Sequence, residues 1–198
     1  MASARPDIAV LKNVRLSFPK LFKAEKSTDT SAPKFSAAFL IDPSTAEGKA
    51  NIKAMNSAIE HAKTKQWGDK ADKIFDNIDW DRKPLRQGDK ATNDEGDIYK
   101  GYEDMMFVQA SSPEKRRPQV LNRDKRPLVE EDNVIYGGCY VDAVVSVYPI
   151  ADKDKGGNGV FASIELVRFR KDGEPFGAGP IDADDYLDDL DDEDDDMI

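Results

Sequence analysis

Two stretches in the later part of the chain decide the fold class: CYVDAVVSVYP at residues 139–149 and VFASIELVRFR at residues 160–170. Alternate residues of the first stretch are apolar and share one face, which is typical of a β-strand with one buried side. They are Cys139, Val141, Ala143, Val145 and Val147. In the second stretch the same period puts Val160, Ala162, Ile164 and Leu166 on one face and Phe161, Val167 and Phe169 on the other. The composition of DKDKGGNG at 152–159 indicates a turn between the two strands.

The first part of the chain predicts two more strands and a helix. Alternation over residues 8–18 gives one apolar face, interrupted at Lys12, that consists of Ile8, Val10, Val14, Leu16 and Phe18. Residues 35–41 form the next strand, with Phe35, Phe39 and Ile41 on one side. Ser44 to Glu47 has the form of a capping box, so a helix begins there, and Gly68 is its expected end. The helix buries a stripe with 3-4-3 spacing, namely Ile52, Met55, Ile59 and Ala62.

The middle of the chain is less regular. Dense charge and poor periodicity over residues 67–101 predict a partly helical insertion with a long loop around 88–96. Residues 104–110 predict a strand, and 111–127 a basic loop with a short strand at Val120 and Leu121. This order of elements favours a β-rich (α+β) fold, a small mixed antiparallel barrel rather than alternating α/β units. We expect one domain over 1–181 and a separate tail over 182–198.

The charge is divided unevenly between body and tail. The formal net charge is −10, but residues 182–198 hold ten Asp and one Glu without any Lys or Arg. Residues 1–181 are therefore nearly neutral, at +1, and the acidity of the whole chain says little about what the body binds. Such a tail cannot build a core, so we expect it to be disordered. It is either a solubility tail or a DNA mimic that competes for a basic groove and docks on basic proteins.

The composition argues against most enzyme classes. A single cysteine, Cys139, excludes an internal disulfide and a multi-cysteine zinc site, and it fits a small core residue better than a nucleophile. The single histidine, His61, has no dyad or ligand spacing, and no phosphate-binding glycine loop or dinucleotide fingerprint occurs. We therefore expect no enzymatic activity and no cofactor. Apolar runs are too short for a membrane span, so a soluble, intracellular protein without a membrane partner is predicted.

Aromatic and basic residues occur together in the body. Examples are Phe18 to Lys23, Lys34-Phe35, Lys100 to Tyr102 and Arg168 to Arg170. Single-strand binders use this mixture, because aromatic faces stack on bases while Lys and Arg follow the phosphates. For Phe35, Phe39, Phe107 and Phe169 a core position is preferred. Tyr140 and Tyr148 lie on the polar face of their strand, where they meet either a ligand or a second packed layer.

Several segments resemble a family of bacteriophage single-stranded-DNA-binding proteins over nearly all of residues 8–180. They are NVRLSFPKLF at 13–22, KFSAAFLI at 34–41, KQWG at 65–68, YGGCYV at 136–141, the strand 159–170 and DGEPFG at 172–177. The resemblance implies an OB-fold barrel with an acidic carboxyl-terminal tail and no catalysis. It also implies sequence-independent binding of single-stranded DNA, protection of replication or recombination intermediates, and contact with partner enzymes through the tail. The cytoplasm of an infected bacterium is the expected location.

An OB-fold groove crosses strands 2–3 and is walled by the first and the fourth–fifth loops, which indicates where DNA would bind. Basic residues would pair with phosphates and tyrosines would stack on bases. The predicted DNA-binding residues are Arg15, Lys20, Phe22, Lys23, Tyr102, Arg116, Arg117, Arg123, Lys125, Arg126, Tyr140, Tyr148, Lys153 and Lys155. Self-association on DNA stays open.

Two alternatives belong to other classes. Asp76, Asp79 and Asp81 lie close together in sequence and could hold magnesium for a metal-dependent nuclease. The tail could instead make the chain an acidic DNA-mimic adaptor whose body ignores nucleic acid.

Overall fold

A computed structural model describes residues 5–177, and the predicted tail 182–198 lies outside this range. The seven strands are β1 (Ile8–Glu25), β2 (Lys34–Ile41), β3 (Leu85–Gln87), β4 (Met106–Pro113), β5 (Gln119–Leu121), β6 (Tyr140–Asp152) and β7 (Gly157–Lys171). The helices are α1 (Ala46–Trp67) and α2 (Ala71–Asp76). Short 3-10 turns occupy Gly68–Lys70, Trp80–Arg82, Gly88–Lys90, Glu130–Asp132 and Lys153–Lys155.

Five of the strands close into a barrel. The long strand β1 pairs with β2 through its second half and with β6 through its first half. β2 continues to β4, and β6 continues to β7, all antiparallel. The barrel closes where β4 and β7 pair in parallel at Ala110 and Ala162. This is the OB-fold-type barrel that was predicted, with β3 and β5 added beside β4 and β7. Within residues 5–177 no helix has the length and apolar character needed to cross a bilayer.

Helix α1 spans the predicted range and packs against β1 and β6. Its N-cap is Thr45, whose hydroxyl accepts from the amide of Gly48, and the chain leaves the helix at Gly68 with φ of 54°. Met55, Ile59 and Ala62 are buried as predicted, whereas Ile52 is only partly buried. Asn51 adds a polar link to the barrel, because its side chain exchanges two hydrogen bonds with the backbone of Lys12.

The predicted faces of β1 and β7 are wrong in part, and β-bulges are the reason. In β1 the register shifts between Leu11 and Val14, and Asn13 adopts φ of 52°. Because one extra residue reverses the alternation, Ala9 and Leu11 are buried and Val10 is 47% exposed. In β7 a shift opposite Val144 and Val145 turns Leu166 outward and places Val167 and Phe169 in the core, together with Val160, Ala162 and Ile164.

Near the start of β6, its outer face carries an ionic cluster around Asp142. Its carboxylate accepts hydrogen bonds from Arg168 and Arg170 and from the backbone amide of Asn13. Burial opposes ionisation of Asp142, but these hydrogen bonds outweigh it, and its pKa lies below the ordinary value. The bond to Asn13 ties Asp142 directly to the bulge of β1. Asp142 thus stabilises the change of register that sequence alternation could not anticipate.

Candidate nucleic-acid interface

A second irregularity in β1 turns Phe18 outward. The register shifts between Ser17 and Lys20, and Phe18 has φ of 46°, a left-handed conformation that an aromatic residue rarely adopts. Phe18 is 54% exposed, whereas Leu16 and Leu21 on either side are buried. The prediction that Phe18 shares the core face of β1 is therefore wrong. A large apolar side chain held outward in a strained conformation is typical of a functional position.

Phe18 adjoins a second apolar cluster, separate from the barrel core, on the outer face of β2 and β4. It contains Ala38, Leu40, Ala91, Tyr102 and Phe107. Ala38 and Leu40 alternate along β2 with residues such as Phe39 that fill the barrel interior. The insertion between α1 and β4 supplies Ala91 and Tyr102, and thereby covers part of the face that binds ligands in OB-folds.

We call the opening above this cluster the aromatic cleft; it measures about 520 Å³. Its lining is Phe18, Trp80, Arg86, Lys90, Ala91, Thr92, Tyr99, Tyr102, Phe107 and Gln109. Phe18 and Tyr99 stand edge to face with ring centroids 5.0 Å apart, and both are substantially exposed. Trp80 packs edge to face on Phe107 at 6.2 Å on another side of the cleft. The exposed ring faces can therefore stack on planar groups.

Arg86 gives the cleft a fixed positive charge. Its guanidinium lies 5.2 Å from the ring centroid of Trp80 and 5.9 Å from that of Phe107, and it donates to the carbonyls of Lys83 and Asp81. Burial lowers the pKa of Arg86, but a guanidinium stays protonated at neutral pH. Lys90 is the second basic residue of the lining, and among residues 5–177 no carboxylate belongs to it. The cleft thus offers aromatic faces together with positive charge.

The cleft is connected to the β6–β7 turn through the 3-10 turn Trp80–Arg82. Trp80 faces the cleft, while Arg82 donates to the carbonyls of Lys155, Gly157 and Asn158 at 2.9–3.1 Å. Arg82 also lies 5.2 Å from the ring centroid of Phe161, which in turn lies 6.1 Å from that of Tyr148. A second pair of aromatic rings therefore lies on the outer face of β6 and β7.

A smaller depression, here called the hollow, lies on the other side of Phe18 and Tyr99. It has a volume of about 400 Å³ and is lined by Ser17, Phe18, Pro19, Tyr99, Lys100, Gly137, Phe176 and Gly177. The Phe18–Tyr99 pair thus forms a wall shared by the cleft and the hollow.

The predicted residues fall into several groups. Tyr148 is 39% exposed beside Phe161, and burial raises its pKa; Lys153 and Lys155 lie on the turn that Arg82 holds. Tyr102 lines the cleft but is only 2% exposed, beneath Phe18 and Tyr99. Tyr140 is partly buried and lies under the ammonium of Lys171.

The remaining predicted residues are basic, apart from Phe22, which packs partly buried against the core. Arg15 donates to the carbonyls of Gly138 and Glu174, Lys20 is ion-paired with Glu25, and Arg116 is ion-paired with Glu165. The exposed residues of the group are Lys23, Arg116, Arg117, Arg123, Lys125 and Arg126. Most of the basic β4–β5 connection is thus at the surface, as expected.

Sequence reasoning missed five functional residues of the cleft: Phe18, Trp80, Arg86, Lys90 and Tyr99. The sequence signal for them was weak. Tyr99 adjoins the Lys100–Tyr102 run of basic and aromatic residues, but Trp80 lies in the irregular insertion, where no periodicity marks a site. Asp76, Asp79 and Asp81, the candidate magnesium ligands of the nuclease alternative, are exposed, and within residues 5–177 no three acidic, His or Cys side chains are arranged to hold a metal ion. Cys139 is fully buried in the core as predicted, and burial raises its pKa to about 11.

The family is decided by comparison with known proteins. The profile of the Enterobacter phage Enc34 ssDNA-binding protein family matches residues 8–198. The chain belongs to this family. Protein p50 of Acyrthosiphon pisum secondary endosymbiont phage 1 is 37% identical over 183 residues, which cover 91% of this chain and 92% of p50.

Solved structures agree with the Enc34 family assignment. The single-stranded DNA-binding protein of bacteriophage Enc34, in complex with ssDNA, superimposes with a TM-score of 0.69 at 25% identity, covering 89% of this chain and 97% of that one. The gp2.5 single-stranded DNA-binding protein of bacteriophage T7 has a TM-score of 0.54 at 13% identity, with coverage of 90% and 93%. The T7 likeness shows the shared fold alone.

Proposed function

We propose that this protein of the Enc34 family coats single-stranded DNA without sequence preference, as a stoichiometric binder rather than an enzyme. Bases stack on Phe18 and Tyr99, while Arg86 and Lys90 pair with phosphates. The observation that carries the proposal is the aromatic cleft, which lies on the outer face of β2 and β4 and which the described part of the chain lines without an acidic side chain. Stacking is tolerant of sequence because every base presents a flat face.

Single strands suit this cleft better than a duplex, because paired bases are stacked on one another and their faces are not available to Phe18 or Tyr99. The basic β4–β5 connection and the β6–β7 turn would extend the phosphate contacts beyond the cleft. With these additional contacts, one protein molecule would cover more nucleotides than the cleft alone can hold.

The DNA test is fluorescence anisotropy of a labelled oligo-dT at several salt concentrations, with oligo-dA and a duplex of the same length as competitors. We expect salt-dependent binding that oligo-dA competes for and that the duplex competes for poorly. Tyr99→Ala should weaken binding about 5-fold or more, the lower limit of one lost stacking contact. The control is Phe75→Ala on α2, which removes a partly buried ring that contacts Lys63 and Lys83 instead. Equal affinity of the Tyr99 variant and the wild type would refute the role of the cleft.

We further propose that the acidic residues 182–198 compete with DNA for this surface and, once displaced, recruit basic replication or recombination proteins in the cytoplasm of the infected host. The eleven acids of the tail and the positively charged cleft support this competition. A chain ending at residue 181 keeps every contact described within 5–177, and it should bind oligo-dT more tightly than the full chain. If both bind equally, the tail does not compete; if neither binds DNA, the acidic-adaptor alternative gains support.

A further inference from the structure

The chain that follows β7 is fixed against the barrel in a short segment, residues 172–177, here called the strap. Two hydrogen bonds donated by its own backbone amides hold it, one near each end. The amide of Gly173 donates to the hydroxyl of Tyr136 at 3.1 Å, and the amide of Phe176 donates to the carbonyl of Gly137 at 3.0 Å. The strap is therefore part of the folded body.

Side chains strengthen the attachment. The guanidinium of Arg15 lies 4.1 Å from the ring centroid of Phe176 and also donates to the carbonyl of Glu174. The ammonium of Lys100 lies 3.1 Å from the carboxylate of Glu174. Phe176 itself packs against the apolar cluster beneath the cleft. Arg15 thus contacts the strap twice, through the ring of Phe176 and through the carbonyl of Glu174.

Glycines make room for the strap. A Cβ atom on Gly101 would lie 2.4 Å from a ring carbon of Phe176, and one on Gly138 would lie 2.2 Å from the carbonyl oxygen of Glu174. Both glycines also have positive φ, at 83° and 116°. Neither position could accept a side chain without displacing the strap, so the surface around Gly101 and Gly138 fits this segment closely.

The strap ends at the hollow. Phe176 and Gly177 line it together with Phe18 and Tyr99, which also wall the aromatic cleft. The next residues, Ala178 to Ile181, carry no charge and include the apolar Pro180 and Ile181, and the acidic residues begin at Asp182. Four residues span at most about 14 Å, so this segment can enter the hollow directly from Gly177.

We propose that the hollow binds residues 178–181, so that the acidic tail begins over the aromatic cleft and competes with DNA from a fixed origin. The proposal rests on the tail competition put forward under the proposed function and adds the device that directs it. Anchoring shortens the effective tether and so raises the local concentration of the tail at the cleft. Arg15 and Phe176 then act as positioning residues for the tail rather than as DNA contacts.

The experiment combines two changes in the full-length chain. One neutralises the tail by replacing its ten Asp with Asn and Glu193 with Gln; the other loosens the strap by Phe176→Ala. Oligo-dT affinity is measured for the four combinations, and thermal melting monitors folding. Gly101→Ala, which pushes the ring of Phe176 out of its seat, is a second way to loosen the strap, and Phe75→Ala is the matched control.

With the wild-type strap, neutralising the tail should raise the affinity about 10-fold; with Phe176→Ala the gain should fall to about 3-fold or less. In the neutral-tail background Phe176→Ala and the Phe75→Ala control should both bind like their parent. An equal gain with both straps would overturn the anchor while leaving tail competition intact. No gain with the wild-type strap would show that the competition itself is absent. Weakened binding of Phe176→Ala in the neutral-tail background would make the hollow a nucleotide site instead and overturn the proposal.

Discussion

Replacement of Phe18 separates DNA binding from stability. The side chain is 54% exposed, so Phe18→Ala removes only about half of the 1.5–3 kcal/mol that full burial of such a ring contributes, about 1 kcal/mol. Alanine keeps the unfavourable left-handed backbone at φ of 46°. Phe18→Gly relieves the roughly 1–2 kcal/mol that this conformation costs, and the relief offsets the lost packing. We therefore expect Phe18→Gly to be about as stable as the wild type and Phe18→Ala to be about 1 kcal/mol less stable.

Both variants lose the same ring, so both should lose the same DNA affinity. One stacking contact contributes about 1–3 kcal/mol, which corresponds to about a 5- to 150-fold increase in Kd. Urea unfolding measures the stability of each variant, and anisotropy with labelled oligo-dT measures its Kd. Wild-type Kd values in both variants would refute the assignment of Phe18 as a stacking residue. A loss of affinity that tracks stability, larger in the alanine variant than in the glycine variant, would show that the ring acts through folding instead.

Three further experiments test other parts of the molecule. Asp142 has a lowered pKa, so its stabilising effect is present above the unfolded-state pKa of about 3.9 and is lost as the pH falls through the folded-state pKa. Asp142→Asn should therefore lower the free energy of unfolding in urea by about 2 kcal/mol at pH 7 and by clearly less at pH 3. An equal loss at both pH values would contradict this. The Cys139 thiol, buried and with a pKa of about 11, should resist a thiol reagent at pH 8 in the native protein and react fully in urea; rapid native labelling would place it outside the core. Replacing Arg116 and Arg117 together by Ala should weaken binding to all DNA sequences alike. The dependence of log affinity on log salt concentration should fall by about one phosphate contact only, because Arg116 is already paired with Glu165. Unchanged affinity would remove the β4–β5 connection from the interface.

The fold class was predictable because the core follows short-range patterns. The interior face of β6 alternates without interruption from Val141 to Val147, and all of its predicted core residues are buried. Helix α1 could be located from its cap at Thr45, its buried stripe and Gly68. Both are features of neighbouring residues, which a single sequence displays directly.

The site was less predictable, since it is assembled from distant segments. Phe18, Trp80, Arg86 and Tyr99 have no shared spacing, and they meet only because the insertion folds back over β2 and β4. The basic runs and the Lys100–Tyr102 segment indicated a surface that binds nucleic acid, but they did not identify which aromatic rings would be exposed.

The sequence by itself determined the barrel strands, the main helix and the division of charge between a near-neutral body and an acidic tail, since period, capping and composition are local properties. Only the tertiary structure decided which way β1 faces at Val10 and Phe18. Bulges reverse the alternation there, and their positions depend on remote partners: the carboxylate of Asp142 holds the amide of Asn13 from a strand 129 residues away. A hydrogen bond of that range leaves no mark on the pattern of neighbouring residues, and it appears only when the strands have come together.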